Sequence, residues 1–481
     1  ADLWTSIYFG NKISWENYNI AQDNLESSEE EWKKIIKEEW FKRGHNIYKE
    51  KRFFHWELEF PEIFYKENYK KENPGFDVVI GNPPYGNILR GVEKRYYDNF
   101  FKTVKGREGS YNGASVFIER SFHIIKERGY FSYIVPNTIS RITQFSKIRK
   151  NMLDNMIIAI SKEENPFTGV HLEMDVYIIK KLKCYEKEYL IKIFDKNHKL
   201  INKVNVSVFR KYNRFIYMWD NISSYIWKKH TINYLMSKRG PDKKHKEVKD
   251  KSFNVPFLYS HSSIDKYRVL KLVYTDDHNN IMIRNHKILS SRNMYKVYRC
   301  IYNDNKLYPG AGIAIIMKSD GTELDKSIIL ILNSRLMDYI SKRYIFNLHN
   351  KPSNLQSDVT SFTPIALGYN KISFSNLCDY MLFLNKTEER QESEKEIIEF
   401  FDKEIIDSLV YELYFVDELK TNLIDLASSH LEDTSNLDSD SEKMDVIKEV
   451  YFNFIKDKEI INLINKIKSH PWIQMIEESS S

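Results

Sequence analysis

The sequence predicts an α/β protein: a parallel α/β sheet first, an α+β region next and a helical end last. Three observations carry this. Between residues 76 and 182, short β-branched runs alternate with helical periodicity, as in strands joined by crossover helices. From about 200 to 385, strand-like pieces are separated by polar loops. From about 393 to 468, apolar residues recur at helical spacing. A chain of 481 residues exceeds one ordinary domain, and the composition shifts place segments at 1–195, 196–385 and 386–481.

Each element has a local cause. Phe76-Asp-Val-Val-Ile80 is a short β-branched run, and Gly81 closes it. Residues 115–126 set Val116, Phe117, Phe122, Ile124 and Ile125 mostly on one helical side. Arg128-Gly129 breaks that period, and 130–135 is the next strand, stopped by Pro136. Residues 176–179 form another. Strands alternating with helices argue for parallel pairing. Farther on, helices are expected over 326–342, 394–414, 442–455 and 458–468. Gly310-Ala-Gly312 leads into a strand, not a helix, so it reads as a hairpin turn rather than a phosphate cradle. The sequence holds no Walker loop and no dinucleotide fingerprint.

Composition excludes several classes. With 42% hydrophobic and 29% charged residues the chain is not wholesale disordered. No run approaches the ~20 apolar residues that span a bilayer, and no basic-then-apolar leader opens the chain. Cys184, Cys300 and Cys378 are too far apart for a disulfide framework or zinc knuckle, so a reducing, cytoplasmic setting is expected. Aromatics reach 14% but travel with Lys, Asn and Ile, the set favoured by AT-rich codons, and are not read as a binding surface. Sixteen glycines are about half the usual ~7% share, a shortage that matters wherever backbone must approach a ligand closely.

Charge is uneven. Residues 386–481 hold 11 Lys/Arg against 24 Asp/Glu, a net of −13, which leaves +19 on residues 1–385. Residues 228–251 alone carry nine Lys/Arg against three acids. That run reads equally as a solvated loop or as a phosphate-tracking one. A basic body favours a polyanionic partner.

The most informative stretch is Asn82-Pro83-Pro84-Tyr85-Gly86 after the 76–81 strand. Ligands of open parallel sheets bind beyond the carboxyl ends of the strands, where this corner must lie. Two prolines fix φ and remove two N–H donors, leaving a stiff turn that presents carbonyls. The Asn82 side-chain carbonyl and the Pro83 main-chain carbonyl can then accept two hydrogen bonds side by side, with the flat Tyr85 ring beside them. Such a set suits an exocyclic amine on a planar base, whose lone pair is delocalised into the ring. No titratable side chain is required.

Asn-Pro-Pro-Tyr after Phe-Asp-Val-Val-Ile-Gly resembles the catalytic motif of gamma-class adenine-N6 DNA methyltransferases of restriction–modification systems. Residues 53–64, 114–119 and 129–137 resemble segments flanking that motif, and Asn165-Pro-Phe167 the segment whose Phe packs on a flipped base. Residues 287–292, 331–336 and 406–414 resemble the family's C-terminal specificity part. The resemblance implies a partial doubly wound S-adenosylmethionine-dependent methyltransferase sheet over 1–195, a target-recognition domain over 196–385 and a helical segment over 386–481. It implies double-stranded DNA as partner, with methyl transfer from S-adenosylmethionine to a flipped adenine. Asn82, Pro83, Pro84 and Tyr85 would be catalytic and Phe167, Arg292 and Lys296 would bind substrate. The four catalytic letters also occur in methyltransferases of protein glutamine and rRNA. A specificity module that binds DNA without activity is a further alternative.

One feature departs from the family. Its cofactor loop is a glycine-rich turn upstream of the motif; nothing in residues 1–81 supplies it, since Gly10, Gly44 and Gly75 are isolated. The His55-Trp56 region is a candidate for touching cofactor, with no acidic ribose ligand assigned. The expectation is the C-terminal portion of a longer protein whose upstream part carries that loop.

Other signals have plainer readings. Phe167 is either a base-stacking residue or core, and Arg292 and Lys296 either contact DNA or stand on a surface. Asp23 with Glu31 and Lys33 loosely imitates a nuclease site, as chance allows in a Glu- and Lys-rich chain. Asp438, Asp440, Glu442 and Glu449 imitate a calcium loop, but Lys443 stands where the turn needs glycine, so a capped helix start is expected. His171, Glu173 and Asp175 read as a polar loop before a strand rather than a metal site. No metal is expected.

Overall fold

The Phe-Asp-Val-Val-Ile-Gly run forms strand β1 (Phe76–Gly81), followed by β2 (Ile125–Pro136), β3 (Met156–Glu164), β4 (Met174–Lys180), β5 (Leu190–Phe194) and β6 (Leu200–Asn205). The computed structural model describes all residues except 68, 170–171, 185–186, 241–254, 259, 276–285, 295–297, 349–352, 369–370, 387–390 and 481. Two compact units result, Ala1–Tyr217 and Met218–Ser481.

In the first unit the six strands make one sheet in the order β1-β2-β4-β3-β5-β6. β1 pairs with β2 in parallel, but β4 runs antiparallel to both β2 and β3. The sheet is therefore mixed, where parallel pairing was expected throughout. Only residues 165–173 join β3 to β4, and a parallel return needs a dozen or more (about 12). A short connection forces a reversal of direction.

The β1–β2 connection runs through helices α1 (Val92–Phe100) and α2 (Gly113–Ile124), and α3 (Ser146–Leu153) precedes β3. Helix α2 buries Ala114, Val116, Ile118, Phe122 and Ile124. Phe122 meets Phe131 of β2 edge to face at 4.9 Å, a geometry favoured by the ring quadrupoles. Ser121 Oγ lies 2.8 Å from the Tyr133 hydroxyl. The expected break at Arg128-Gly129 is a local irregularity inside β2: Arg128 takes a φ of 67° and the β1–β2 register shifts between Phe76 and Val78. The 195/196 boundary expected from sequence falls between β5 and β6, adjacent strands of one sheet, and the first unit continues through α4 (Val206–Tyr212) to Tyr217.

Strands β7 (Leu235–Arg239), β8 (Ile288–Ser291), β9 (Cys300–Tyr302) and β10 (Ile313–Lys318) form an antiparallel sheet in the second unit, ordered β9-β8-β10-β7. Its core gathers Leu258, Ile264, Leu289, Ile301, Ile313, Ile315 and Met317. The Gly310-Ala-Gly312 segment is a turn, with the Ile313 N–H donating to the Gly310 carbonyl at 2.9 Å. It is not the expected hairpin, because the strand before it, Tyr308–Pro309, pairs with Val255–Leu258 rather than with β10.

The helix expected over 326–342 is broken into α5 (Ile328–Asn333) and α6 (Arg335–Ile340) by Ser334, which caps the second by accepting from the Met337 N–H at 3.3 Å. Helices α7 (Glu392–Phe400) and α8 (Asp407–Tyr414) flank a π-helical turn, Phe401–Ile406. Helices α9 (Asp440–Lys456), α10 (Lys458–Lys468) and α11 (Pro471–Ser480) complete the chain. Ser439 caps α9, so the acidic run there is a capped helix start. Residues 386–481 pack into the same unit as the sheet: Arg335 of α6 is paired with buried Asp407 of α8 at 3.6 Å and with Glu477 of α11. No helix among the described residues is long and apolar enough to cross a membrane.

Candidate active site

β1 ends at Gly81 and turns at once into Asn82-Pro83-Pro84-Tyr85. Asn82 and Pro84 are exposed, Pro83 is buried and Tyr85 is half-buried. Two glycines make the corner possible. Gly86 leaves it at a φ of 89°, a conformation that favours glycine. Gly113, the first residue of α2, gives its N–H to the Gly86 carbonyl at 2.9 Å, and a Cβ there would stand 2.4 Å from the Pro84 carbonyl oxygen. The start of α2 is thus pressed onto the corner and braces it.

The Tyr85 hydroxyl donates to Asn82 Oδ1 and lies 3.3 Å from the Ile134 carbonyl of β2. Partial burial pushes the Tyr85 hydroxyl above its ordinary pKa, so it stays a donor at neutral pH. The corner therefore holds its own acceptor in use through a phenol, a local arrangement the sequence pattern did not reveal.

Register places other segments on the same edge. Gly81 aligns with Tyr133, and Met174 aligns both with Pro136 and with Glu164. The connection 165–173 consequently leaves the sheet at the edge where Asn82 stands. Half-buried Phe167 is in it, two to three strand spacings from β1, about 10–15 Å. Under that connection Asp175, fully buried, accepts from the Tyr217 hydroxyl at 2.6 Å, and Tyr177 and Tyr217 share a hydrogen bond of 3.0 Å. Asn137 donates to Glu173 at 3.2 Å. Glu173 and Asp175 are thus structural, while His171 lies outside the described residues; no metal-holding cluster occurs among the described residues.

Beside the corner is a cavity of about 500 Å³ whose lining includes Phe53, Phe54, His55, Trp56, Ile88 and Phe117. Ile88 follows Tyr85 by three residues, and Phe117 lies on α2. Phe54 and Phe117 are substantially exposed into this space. His55 Nε2 meets Asp2 Oδ1 at 2.8 Å. Phe117 was visible in the sequence only as part of the helix stripe; its solvent-facing position is what separates it from the core. Glu119, by contrast, is buried and accepts from the backbone N–H groups of Lys102 and Thr103 at 2.7 and 3.0 Å, a structural task.

The remaining predicted residues belong elsewhere. Arg292 is half-buried in the second unit, its N–H bonded to the Gly312 carbonyl at 3.0 Å. Lys296 lies outside the described residues, as do residues 241–251 of the basic run 228–251.

Residues 3–164 match the family described as Eco57I restriction-modification methylase. The chain is 26% identical over 418 residues to a putative type II restriction enzyme and methyltransferase of Methanocaldococcus jannaschii, a match covering 76% of this chain and 32% of that protein. It is 34% identical over 82 residues to a type II methyltransferase of Thermus thermophilus, 15% of this chain and 19% of that one. A solved structure of the type IIL restriction-modification enzyme MmeI with DNA is similar at a TM-score of 0.46 and 9% identity, over 79% of this chain and 57% of that one. The chain thus spans about a third of the length of the archaeal relative.

Proposed function

We propose that the corner binds the exocyclic amine of an adenine flipped out of DNA and presents it for methylation at N6, with S-adenosylmethionine as methyl donor. One observation carries the reading: Asn82 stands exposed at the carboxyl edge of the sheet, immediately before the buried, rigid Pro83. Its Oδ1 and the Pro83 carbonyl would accept the two amine hydrogens and return electron density to nitrogen. S-adenosylmethionine would supply the electrophilic methyl group. The amine nitrogen would bond the methyl carbon as that carbon's bond to sulfur breaks and S-adenosylhomocysteine leaves, and one amine proton would pass by way of the acceptor pair to water. Tyr85 and Phe167 would hold the ring by its faces, and Arg292 and Lys296 of the second unit would contact the DNA as part of target recognition.

The residues present fit part of the cofactor. The aromatic cavity suits a flat purine and a sulfonium cation. A glycine turn for the remainder does not come from Gly10, Gly44 or Gly75. Gly75 lies before β1, at the end of the strand opposite Asn82, and Gly44 is buried in the helix Glu39–Lys51. This favours a second reading: residues 1–481 by themselves bind DNA but hold cofactor weakly or not at all.

Asn82→Ala in the longest native product is expected to abolish methyl transfer to DNA while sparing DNA binding. Undiminished transfer by that variant would refute the assignment. Parallel assays on DNA, rRNA and protein glutamine identify the substrate class. Calorimetric titration of the 481-residue chain with S-adenosylmethionine separates the two readings, since absence of binding leaves only the DNA-binding one.

A further inference from the structure

Two lysines face each other across the β5–β6 hairpin. Register sets Lys192 of β5 directly opposite Lys203 of β6, and both are exposed, while Ile191, Ile193 and Val204 on the other face are buried. Like charges directly opposite each other destabilise an antiparallel pair. Neither lysine has an ion-pair partner among the described residues, and neither has exposed Lys199, just before β6.

The acids close by are engaged. Oδ1 of Asp195 accepts the N–H groups of Asn197 and Lys199 at 2.9 Å each. Glu163 accepts from the Ser161 hydroxyl at 2.6 Å, and Glu164 pairs with Lys196 at 2.8 Å. Protection of a sheet edge explains one of the lysines: an edge lysine discourages further pairing, and β6 is a terminal strand. It does not explain Lys192, which stands on β5, an interior strand.

The hairpin shares an edge with the corner. β5 runs parallel to β3, with Phe194 aligned with Ser161, so the turn 195–199 lies beside the end of β3 from which the 165–173 connection leaves. That is the sheet edge at which Asn82 stands. β5 and β6 are four and five strand spacings from β1, about 19–24 Å. Duplex DNA advances about 3.4 Å per base pair and carries a phosphate on each strand at every step. A duplex laid along this edge therefore reaches the hairpin about six base pairs from Asn82.

We propose that Lys192, Lys199 and Lys203 contact the phosphate backbone of duplex DNA about six base pairs from the base bound at Asn82. The placement of that base rests on the methyltransferase reading; the phosphate contact needs only that the chain binds DNA. Binding then relieves the repulsion between Lys192 and Lys203, because the partner brings negative charge to both, and counterion release makes the contact strongest at low salt.

Equilibrium binding of the 481-residue chain to a mixed-sequence DNA duplex across a salt series tests this. Replacing all three lysines with glutamine is expected to lower affinity about 10-fold or more at low salt. It should also flatten the slope of log K against log salt by about 2–3, since each phosphate contact contributes about 0.9. An unchanged slope overturns the proposal, as does a loss seen on duplex RNA but not on DNA. Lys192→Glu separates contact from folding, because it sets an opposite charge across from Lys203. Its melting temperature should hold or rise while its DNA affinity falls; affinity that falls only together with the melting temperature would make the lysines structural and overturn the proposal. Methylphosphonate linkages, which remove phosphate charge, placed about six base pairs from the target adenine should weaken wild-type binding and leave the triple variant unaffected. An equal loss in both proteins would put the contact elsewhere. A fully active Asn82→Ala variant beside a flattened slope would reject the chemistry and keep the phosphate contact, whereas a wild-type chain that binds no DNA would reject both.

Discussion

The Tyr85 hydroxyl donates to Oδ1 of Asn82, the atom proposed to accept from the base amine. The amide oxygen carries two lone pairs, so on the proposed reading the phenol competes with the base amine for it, and the Ile134 carbonyl, 3.3 Å away, offers the phenol an alternative acceptor. Tyr85→Phe keeps the ring and removes the competing donor. We expect KM for DNA to fall up to about 5-fold, the equivalent of one hydrogen bond of about 1 kcal/mol, with kcat retained. Steady-state kinetics on the longest native product check this, and an increased KM would contradict it.

Gly113 is where helix α2 meets the corner. Alanine there puts a Cβ 2.4 Å from a main-chain oxygen of Pro84, which cannot rotate away as a side chain would. We expect Gly113→Ala to cost about 1–3 kcal/mol of stability and to lower methyl transfer at least 10-fold by moving Asn82. Urea unfolding and a transfer assay measure the two effects separately; an unchanged transfer rate would show that α2 does not position the corner.

In the second unit, burial first and the Asp402 charge second push the Asp407 carboxyl up to about 7 from 3.8, against the opposing pull of Lys266 and Arg335. The folded state thus holds a proton that the unfolded chain releases near pH 4. The group costs nothing below that pH, and its cost grows as pH rises from about 4 to about 7. The total is on the order of 4 kcal/mol. Asp407→Asn retains an acceptor for the Arg335 N–H, now bonded at 2.8 Å, and should flatten the fall in stability between about pH 4 and pH 7. Denaturant melts of both proteins at several pH values test this; parallel curves would locate the titration elsewhere.

All three cysteines are buried and free. Burial pushes the Cys300 thiol up to about 12 and raises Cys378 as well. Since the thiolate is the reactive form, a thiol reagent should label none of the three rapidly at pH 8 in the native chain and all three in denaturant. Rapid stoichiometric labelling without denaturant would show that these sites open.

Short-range features were legible. The 76–81 strand, the α2 stripe, the strand over 130–135, and helices α9 and α10 follow from spacing and end signals within a dozen residues. The run at Asp438–Glu442 was correctly read as a capped helix start because glycine was missing where a calcium loop must turn. Misreadings came where a distant partner intervened. The 326–342 period is apolar enough for one helix, yet the Ser334 cap splits it, and Arg335 then pairs with Asp407 and Glu477 far along the chain. Near residue 195 the loop that looks like a linker joins β5 to β6, which pair within one sheet.

By itself the sequence determined the corner: two prolines restrict φ and remove donors wherever they stand, so Asn82 and Pro83 present carbonyls before any packing is known. It also determined the absence of a glycine cradle within residues 1–81, since close backbone approach needs that residue type. Only the tertiary structure decided the sense and order of the strands, the phenol seated on Asn82 and the solvent-facing place of Phe117. Those depend on which distant segments meet, and pairing and burial are properties of the neighbour as much as of the residue.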